Sequence, residues 1–283
     1  MQFGAAMFFT SDAMPPQELG PLLEERGFES LWVPEHSHVP SSRSTPFPSG
    51  GAMLREYYEI MDPFLALTAA AVATKTLKLG TGVCLVNQRD AIQTAKLVAS
   101  LDQLSRGRFV FGVGDGWNRE EMENHGTVFE TRHKLVRERI EAMKLIWTDQ
   151  EPEYHGELVR FDKMKMWPKP VQKPHPPIIV GGAFPYGARR AIRYGNGWIP
   201  RAVRPNYDDV GQFLPEFHKL ARAAGRDPAS LPISLFRVPA EIDLLRQYRD
   251  AGVARVVISL PDTKADGILP ILDKWAPLMR AMQ

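Results

Sequence analysis

The chain has 283 residues, 44 % hydrophobic and 24 % charged, the proportions of an ordinary globular protein. A formal net charge of +2 speaks against a nucleic-acid or other polyanion-binding surface, and no apolar run reaches the ~18 residues needed to span a membrane. The one cysteine, Cys84, leaves no internal disulfide and fits a reducing compartment, so the expectation is a cytoplasmic protein.

Strand-like and helix-like segments alternate along the chain. QFGAAMFF (2–9) has no basic leader before it and reads as a strand. A helix over 15–27 follows, opened by prolines and stopped by Gly27. SLWVPE (30–35) is the second strand, followed by a long loop rich in Ser, Pro and Gly. Asp62 and Pro63 start a helix over 63–74, LKLGTGVCL (77–85) is the third strand, and 91–105 is an amphipathic helix. RFVFGVG (108–114) is the fourth strand. The region 119–148 reads as one long helix with a break near Gly126. The proline-rich stretch 151–176 holds a small hairpin, YHGELVRF. Strands at 176–182, 197–202, 233–238 and 255–260 alternate with helices at 185–195, 207–224 and 240–251 and a closing helical segment.

The pattern is α/β: eight short apolar strands, each followed by a helix, as expected for a parallel sheet covered by helices. A single-domain (βα)8 TIM barrel over 1–283, with a loop and hairpin insertion around 151–175, satisfies count, length and alternation together. An open doubly wound sheet with extra strands is the competing topology. In a barrel, function collects at the C-terminal strand ends.

FGVGDGWNREEM (111–122) looks at first like a dinucleotide-binding turn. The fingerprint G-x-G-x-x-G fails, because Trp117 stands where the third glycine belongs and the strand is the fourth. Glycines recur at three neighbouring strand ends, in LGTGVC, GVGDG and VGGA. Together they suggest a shelf of bare backbone that a flat aromatic cofactor with a phosphorylated tail can approach; each alone is equally a tight βα turn. His36 and His38 close the second strand. No further ligands stand at strands four to six, which argues against a metal hydrolase. His36 reads either as a proton carrier at a cofactor edge or as a loop histidine capping carbonyls. There is no G-x-S-x-G elbow, and Cys84 reads as a small packing residue. The charged residues between Arg132 and Glu141 read as a solvated helix face.

SLWVPEHSH, DPFLALTAAAVATKTLKLGTGV, the core S-x-G-R-F-x-x-G-V-G-x-G-W-N-x-x-E from Ser105 to Glu121, the hairpin and PPIIVGG together resemble the luciferase-like superfamily, and within it the coenzyme F420-dependent oxidoreductases. The resemblance spans most of residues 1–200, and ARVVISLPD near the C-terminus is also similar. It implies a TIM barrel, a homodimer and hydride transfer between the deazaflavin and a small organic substrate. It implies a non-prolyl cis peptide at Gly82–Val83, forming a bulge behind the ring. Val113, Gly114, Asp115 and Asn118 would hold the ring edge or the tail. Val180, Gly181, Gly182 and Ala183 would receive ribityl or phosphate oxygens. His36 matches a residue near the reactive face. Asp115 would be a proton donor, a tail contact or a turn-former, so the catalytic candidates are His36 and Asp115. The loop 37–61 and the segment 151–175 would cover the substrate, with Tyr57, Tyr58, Trp117 and Trp167 as candidate pocket aromatics. An FMN-dependent monooxygenase using O2 and a non-catalytic flavin or deazaflavin binder are the alternatives.

Overall fold

The computed structural model describes residues 1–48, 50–202 and 210–282. Eight parallel strands form the sheet: β1 (Gln2–Met7), β2 (Ser30–Val33), β3 (Lys78–Thr81), β4 (Phe109–Gly114), β5 (Ile178–Gly181), β6 (Gly197–Ile199), β7 (Ser234–Phe236) and β8 (Arg255–Leu260). Their spatial order is β7-β8-β1-β2-β3-β4-β5-β6. Parallel bridges Trp198↔Ile233 and Arg201↔Phe236 join β6 to β7 and close the barrel. The fold is a TIM barrel, as the alternation of elements predicts. Several strands are shorter than their apolar runs, because the ladder ends where each chain turns outward into its loop.

Eight helices surround the sheet: α1 (Pro16–Glu25), α2 (Pro63–Ala73), α3 (Ala91–Leu104), α4 (Arg132–Thr148), α5 (Tyr186–Tyr194), α6 (Leu214–Ala223), α7 (Ile242–Asp250) and α8 (Ala265–Ala281). Their starts follow from local chemistry. Asp62 accepts hydrogen bonds from Phe64 N (2.8 Å) and Leu65 N (3.2 Å), with Pro63 in the first turn, where a missing N–H costs nothing. Asp90 accepts from Gln93 N at 2.8 Å to start α3. The long helix expected over 119–148 is divided into Arg119–Asn124, a 3-10 turn and α4. The break falls at Gly126, whose φ is 74°. The helix expected from 207 starts among residues outside the described set; α6 begins at Leu214.

Two apolar layers hold the barrel. The outer one lies between strands and helices and includes Leu31, Leu79, Phe109, Phe111, Leu67, Val98 and Trp147. The inner one fills the barrel with Ala6, Trp32, Val110, Ile179, Ile199 and Val257. Trp32 dominates it, fully buried, with Nε1 donating to Ser30 Oγ at 2.8 Å. Its ring needs neighbours without side chains. A Cβ on Gly80 would lie 2.6 Å from Trp32 Cδ2, and one on Gly4 would lie 3.0 Å from Nε1. A buried ring of ~200 Å² stabilises the fold by roughly 5 kcal/mol, so these glycines serve the core. At the opposite end from the loops that follow the strands, Arg255 seals the barrel. It donates to both Glu29 oxygens at 2.7 Å and to Ser234 Oγ at 3.0 Å.

The 151–175 segment does not cover the cavity described below; none of its residues lines it. It runs along the outside instead. Its hairpin (Tyr154–His155 with Arg160–Phe161) is anchored by Glu138, which accepts from Leu158 N at 2.8 Å and Val159 N at 3.0 Å. Farther along, Gln172 bonds Asp102 and Phe109 O. Glu138 is thus buried, not part of a solvated face as its charged neighbours suggest, because the hairpin's amides lie over it.

Candidate active site

A cavity of about 800 Å³ opens at the C-terminal ends of the strands. Its floor includes Gly82, Val83, Gly114 and Gly181. The third-strand segment is interrupted here. Lys78–Thr81 pairs with β2 and the start of β4, whereas Cys84–Leu85 pairs with Val113 and Gly114 at the end of β4. The Gly82–Val83 peptide between them is cis. Val83 projects over two glycines. A Cβ on Gly114 would collide with its Cγ2, and one on Gly181 would stand 3.1 Å from its Cγ1. Gly112 belongs elsewhere: an added Cβ would strike the Thr81 carbonyl and approach Trp32, so it faces the barrel interior.

His36 lines the cavity at the end of β2. Its Nδ1 lies 2.8 Å from Glu121 Oε2, and Glu121 Oε1 accepts from Ser37 N at 3.0 Å. The His36 and Glu121 side chains are 7 % and 1 % exposed, so little water competes for this pair. A carboxylate at Nδ1 selects the tautomer with hydrogen on Nδ1 and leaves Nε2 as the acceptor. Around His36 stand Tyr57 at 5.0 Å and Trp117 at 5.8 Å between ring centroids, with Phe47 touching both of these. The loop after β2 therefore supplies part of an aromatic wall. Of the other candidate aromatics, Tyr58 and Trp167 are half exposed and do not line the cavity. His38 and His125 flank Ser37 Oγ at 2.8 and 2.7 Å, outside the cavity lining.

Asp115 closes β4 facing the same cavity. Its Oδ2 lies 2.7 Å from Arg190 Nη2 and 3.0 Å from His133 Nδ1. Its Oδ1 is buried without a hydrogen-bond partner among the described residues, as is Arg190 Nε. Arg132 stacks 3.7 Å from the centroid of Phe129, and its Nε is likewise buried and unpartnered. Burial holds the Arg132 guanidinium below its ordinary value, and the Arg190 charge adds to this. Gly182 makes room for the cluster: its φ is 115°, and a Cβ there would lie 2.8 Å from Arg190 Nη2. The result is a cluster of Arg190, His133 and Arg132 around one carboxylate, of which Arg190, His133 and Asp115 line the cavity.

Gly82, Val83, Gly114, Asp115, Gly181, Gly182, Ala183 and His36 are gathered on one cavity wall or floor. Val113, Asn118 and Val180 are not. Val113 and Val180 point into the outer core, because alternate residues of a strand face opposite sides. Asn118 is fully buried and caps the helix Arg119–Asn124, accepting from Glu121 N at 3.4 Å. That cap aims Glu121, three residues on, back at His36. Cys84 is buried, and burial pushes its thiol well up, so it is inert packing. Among the described residues, no group of three or more His, Cys, Asp and Glu could hold a metal.

Glu121, His133, Arg190 and Arg237 are site residues that sequence reasoning missed. Glu121 was within reach, since N-x-x-E after the fourth strand is a helix-start spacing with an inward third position. The other three sit on helices or strand ends with no local signature. Arg237 follows β7, lines the cavity, and has φ 59°, a left-handed conformation that costs a non-glycine residue about 1–3 kcal/mol.

The sequence profile of the luciferase-like monooxygenases matches residues 11–252. The chain belongs to this family. Among its luciferase-like relatives, an uncharacterized protein of Mycobacterium tuberculosis is 36 % identical over 286 residues, covering 98 % of each chain. An F420-dependent hydroxymycolic acid dehydrogenase of the same organism is 30 % identical over 211 residues, 74 % of this chain and 54 % of that one. The fold is close to that of an F420-dependent secondary alcohol dehydrogenase solved with an F420–acetone adduct. That likeness has a TM-score of 0.77 at 19 % identity and covers 100 % of this chain and 99 % of the other. The luciferase-like family is one of oxidoreductases, and this barrel presents its cavity at the end where such folds place their chemistry. Among the described residues, no helix is long and apolar enough to cross a membrane.

Proposed function

We propose that the protein is a coenzyme F420-dependent oxidoreductase that moves a hydride between the deazaflavin and a small organic substrate. The observation that carries this reading is the pairing, in one cavity, of a bare-backbone floor bulged by Val83 with a histidine held by Glu121. A flat ring fits such a floor. Arg190, which lines the cavity beside Gly182 and Ala183, fits an anionic tail at its edge. When bound, the deazaflavin supplies the hydride donor or acceptor. The protein does the rest. Gly82, Val83, Gly114 and Gly181 support the ring, and Gly182, Ala183 and Arg190 receive the tail. His36, which lines the cavity and is held through Nδ1 by Glu121, takes up or delivers through Nε2 the proton that accompanies the hydride. Asp115, paired with Arg190, acts as an anchor for the cationic cluster and not as the proton donor. Phe47, Tyr57 and Trp117 exclude water around the reacting atoms.

The family's monooxygenase members give the second reading, an FMN enzyme that activates O2. Titration of the purified apo chain with F420 and with FMN, followed by absorbance and fluorescence, separates the two. Tight F420 binding with slower, weaker or no FMN binding is expected; tight FMN binding alone would overturn the proposal. Cofactor binding without turnover in the wild-type chain, so that His36→Ala and Asp115→Asn have none to lose, would point to a non-catalytic binder. We further propose a cytoplasmic homodimer. The outer face of α2 exposes Leu65 (73 %) and Val72 (71 %) one above the other, a stripe suited to a second copy.

A further inference from the structure

We infer that Arg237 selects the substrate, and that the substrate is an apolar molecule bearing a carboxylate. This rests on the proposed oxidoreductase reading only for the identity of the reacting partner. Arg237 stands at the C-terminal end of the barrel, immediately after β7, and lines the cavity half-buried. Its backbone is left-handed, with φ 59°, and its N–H donates to Val257 O at 2.9 Å. A bulky residue in that conformation is uncommon, and such positions cluster at functional sites. Its guanidinium makes no hydrogen bond or ion pair with another described residue. Five donors on a half-buried guanidinium form a planar fork that matches a carboxylate.

The surroundings agree. Phe236 and Ile271 supply apolar surface beside Arg237, and Phe8 continues it toward Tyr57, 4.9 Å away between ring centroids. Glu56 lines the same end of the cavity without forming an ion pair with Arg237. Burial, together with the charge of Asp262, pushes its carboxyl up, although Arg237 opposes this. Around the barrel, β7 and β2 are three strands apart, roughly 14 Å along the wall at the usual spacing. A substrate anchored at Arg237 must therefore place an apolar body between its carboxylate and the reacting atom near His36.

The test compares 4-phenylbutanoate with 4-phenylbutanamide, by calorimetry, on the full chain with and without bound cofactor. The carboxylate is expected to bind at least tenfold more tightly than the amide. Arg237→Asn should abolish the difference while leaving the F420 affinity unchanged, and Arg237→Lys should keep part of it. Asn tolerates the left-handed backbone, and Arg237→Gly, which relieves it entirely, is the second variant that keeps the fold intact. Equal binding of the two probes would overturn the inference. So would a preference that survives in Arg237→Asn, or a loss of F420 binding in that variant. A carboxylate preference in the cofactor-free chain, with no F420 binding at all, would uphold Arg237 while overturning the proposed function.

Discussion

Glu121 lies 85 residues beyond His36 and holds its Nδ1 at 2.8 Å, so the first turn after β4 determines the tautomer of a histidine at the end of β2. Carboxylate partners of this kind fix an imidazole's tautomer and orientation. Glu121→Gln should lower kcat about 10- to 100-fold, with the cofactor dissociation constant changed by less than about twofold. His36→Ala should cost about 10²- to 10⁴-fold in kcat, the usual range for a lost acid–base group. Steady-state kinetics beside a cofactor titration checks both. A matching loss of cofactor affinity would show that the pair only shapes the binding site.

The Asp115–Arg190 pair predicts an asymmetry. Removing the cation in Arg190→Met leaves a 7 %-exposed carboxylate with His133 at 3.0 Å and the charge of Arg132 farther off. That should cost about 2–3 kcal/mol of stability and weaken cofactor binding tenfold or more. Asp115→Asn should cost less, about 1 kcal/mol, because the Arg190 cation it leaves unpaired is 19 % exposed against 7 % for the carboxylate. Urea unfolding of the two variants, read with the cofactor titration, tests this. Equal destabilisation would mean that Asp115 is held by something other than Arg190.

Trp32 and Gly80 share one volume inside the barrel. Gly80→Ala places a methyl group against the indole, with 2.6 Å to Cδ2, and should destabilise by about 1–3 kcal/mol. Trp32→Phe alone should also destabilise, by leaving a void. Combining them should cost less than the sum of the two, since the smaller ring makes room for the methyl. Thermal unfolding of all three variants gives the coupling; strict additivity would refute the shared volume.

At the sealed end of the barrel, burial pushes the Glu29 carboxyl up, but Arg255 outweighs it, with help from Lys78 and Ser30. The net effect lowers the carboxyl from 4.5 to about 2. A group depressed on folding binds more protons when unfolded, so its stabilisation is present above its unfolded value and is lost as the pH falls through the folded one. The chain should therefore lose stability as pH drops from about 4.5 to 2, and Glu29→Gln should flatten that part of the profile. Denaturant midpoints across this range measure it. An unchanged slope in Glu29→Gln would assign the acid lability to other carboxylates.

Much of the fold was legible because its period is local. Short apolar runs alternate with amphipathic segments, and Asp62–Pro63 is a helix start by composition alone. Part of the cavity was legible too, since strand ends can be located once the strands are. His36, Gly82, Gly114, Asp115 and Gly181 follow from that rule. The rule also misled, because it does not say which way a side chain points. Val113 and Val180, which the resemblance implied, lie at strand ends yet face the helices, and Gly112 of the glycine run serves Trp32. The 151–175 segment has the irregular look of a cavity cover but is tied to the outside by Glu138 and Asp102.

By itself, the sequence determined the strand–helix alternation, the backbone starts and stops, and the family, because each depends on residues near one another in the chain. Only the tertiary structure decided the partners. Glu121 with His36 and Arg190 with Asp115 are contacts across the barrel, and Arg237 shares their cavity without touching either pair. Barrel closure brings distant strand ends into one low-water space, where groups as far apart in the chain as His36 and Glu121, 85 residues, act on each other at hydrogen-bond range.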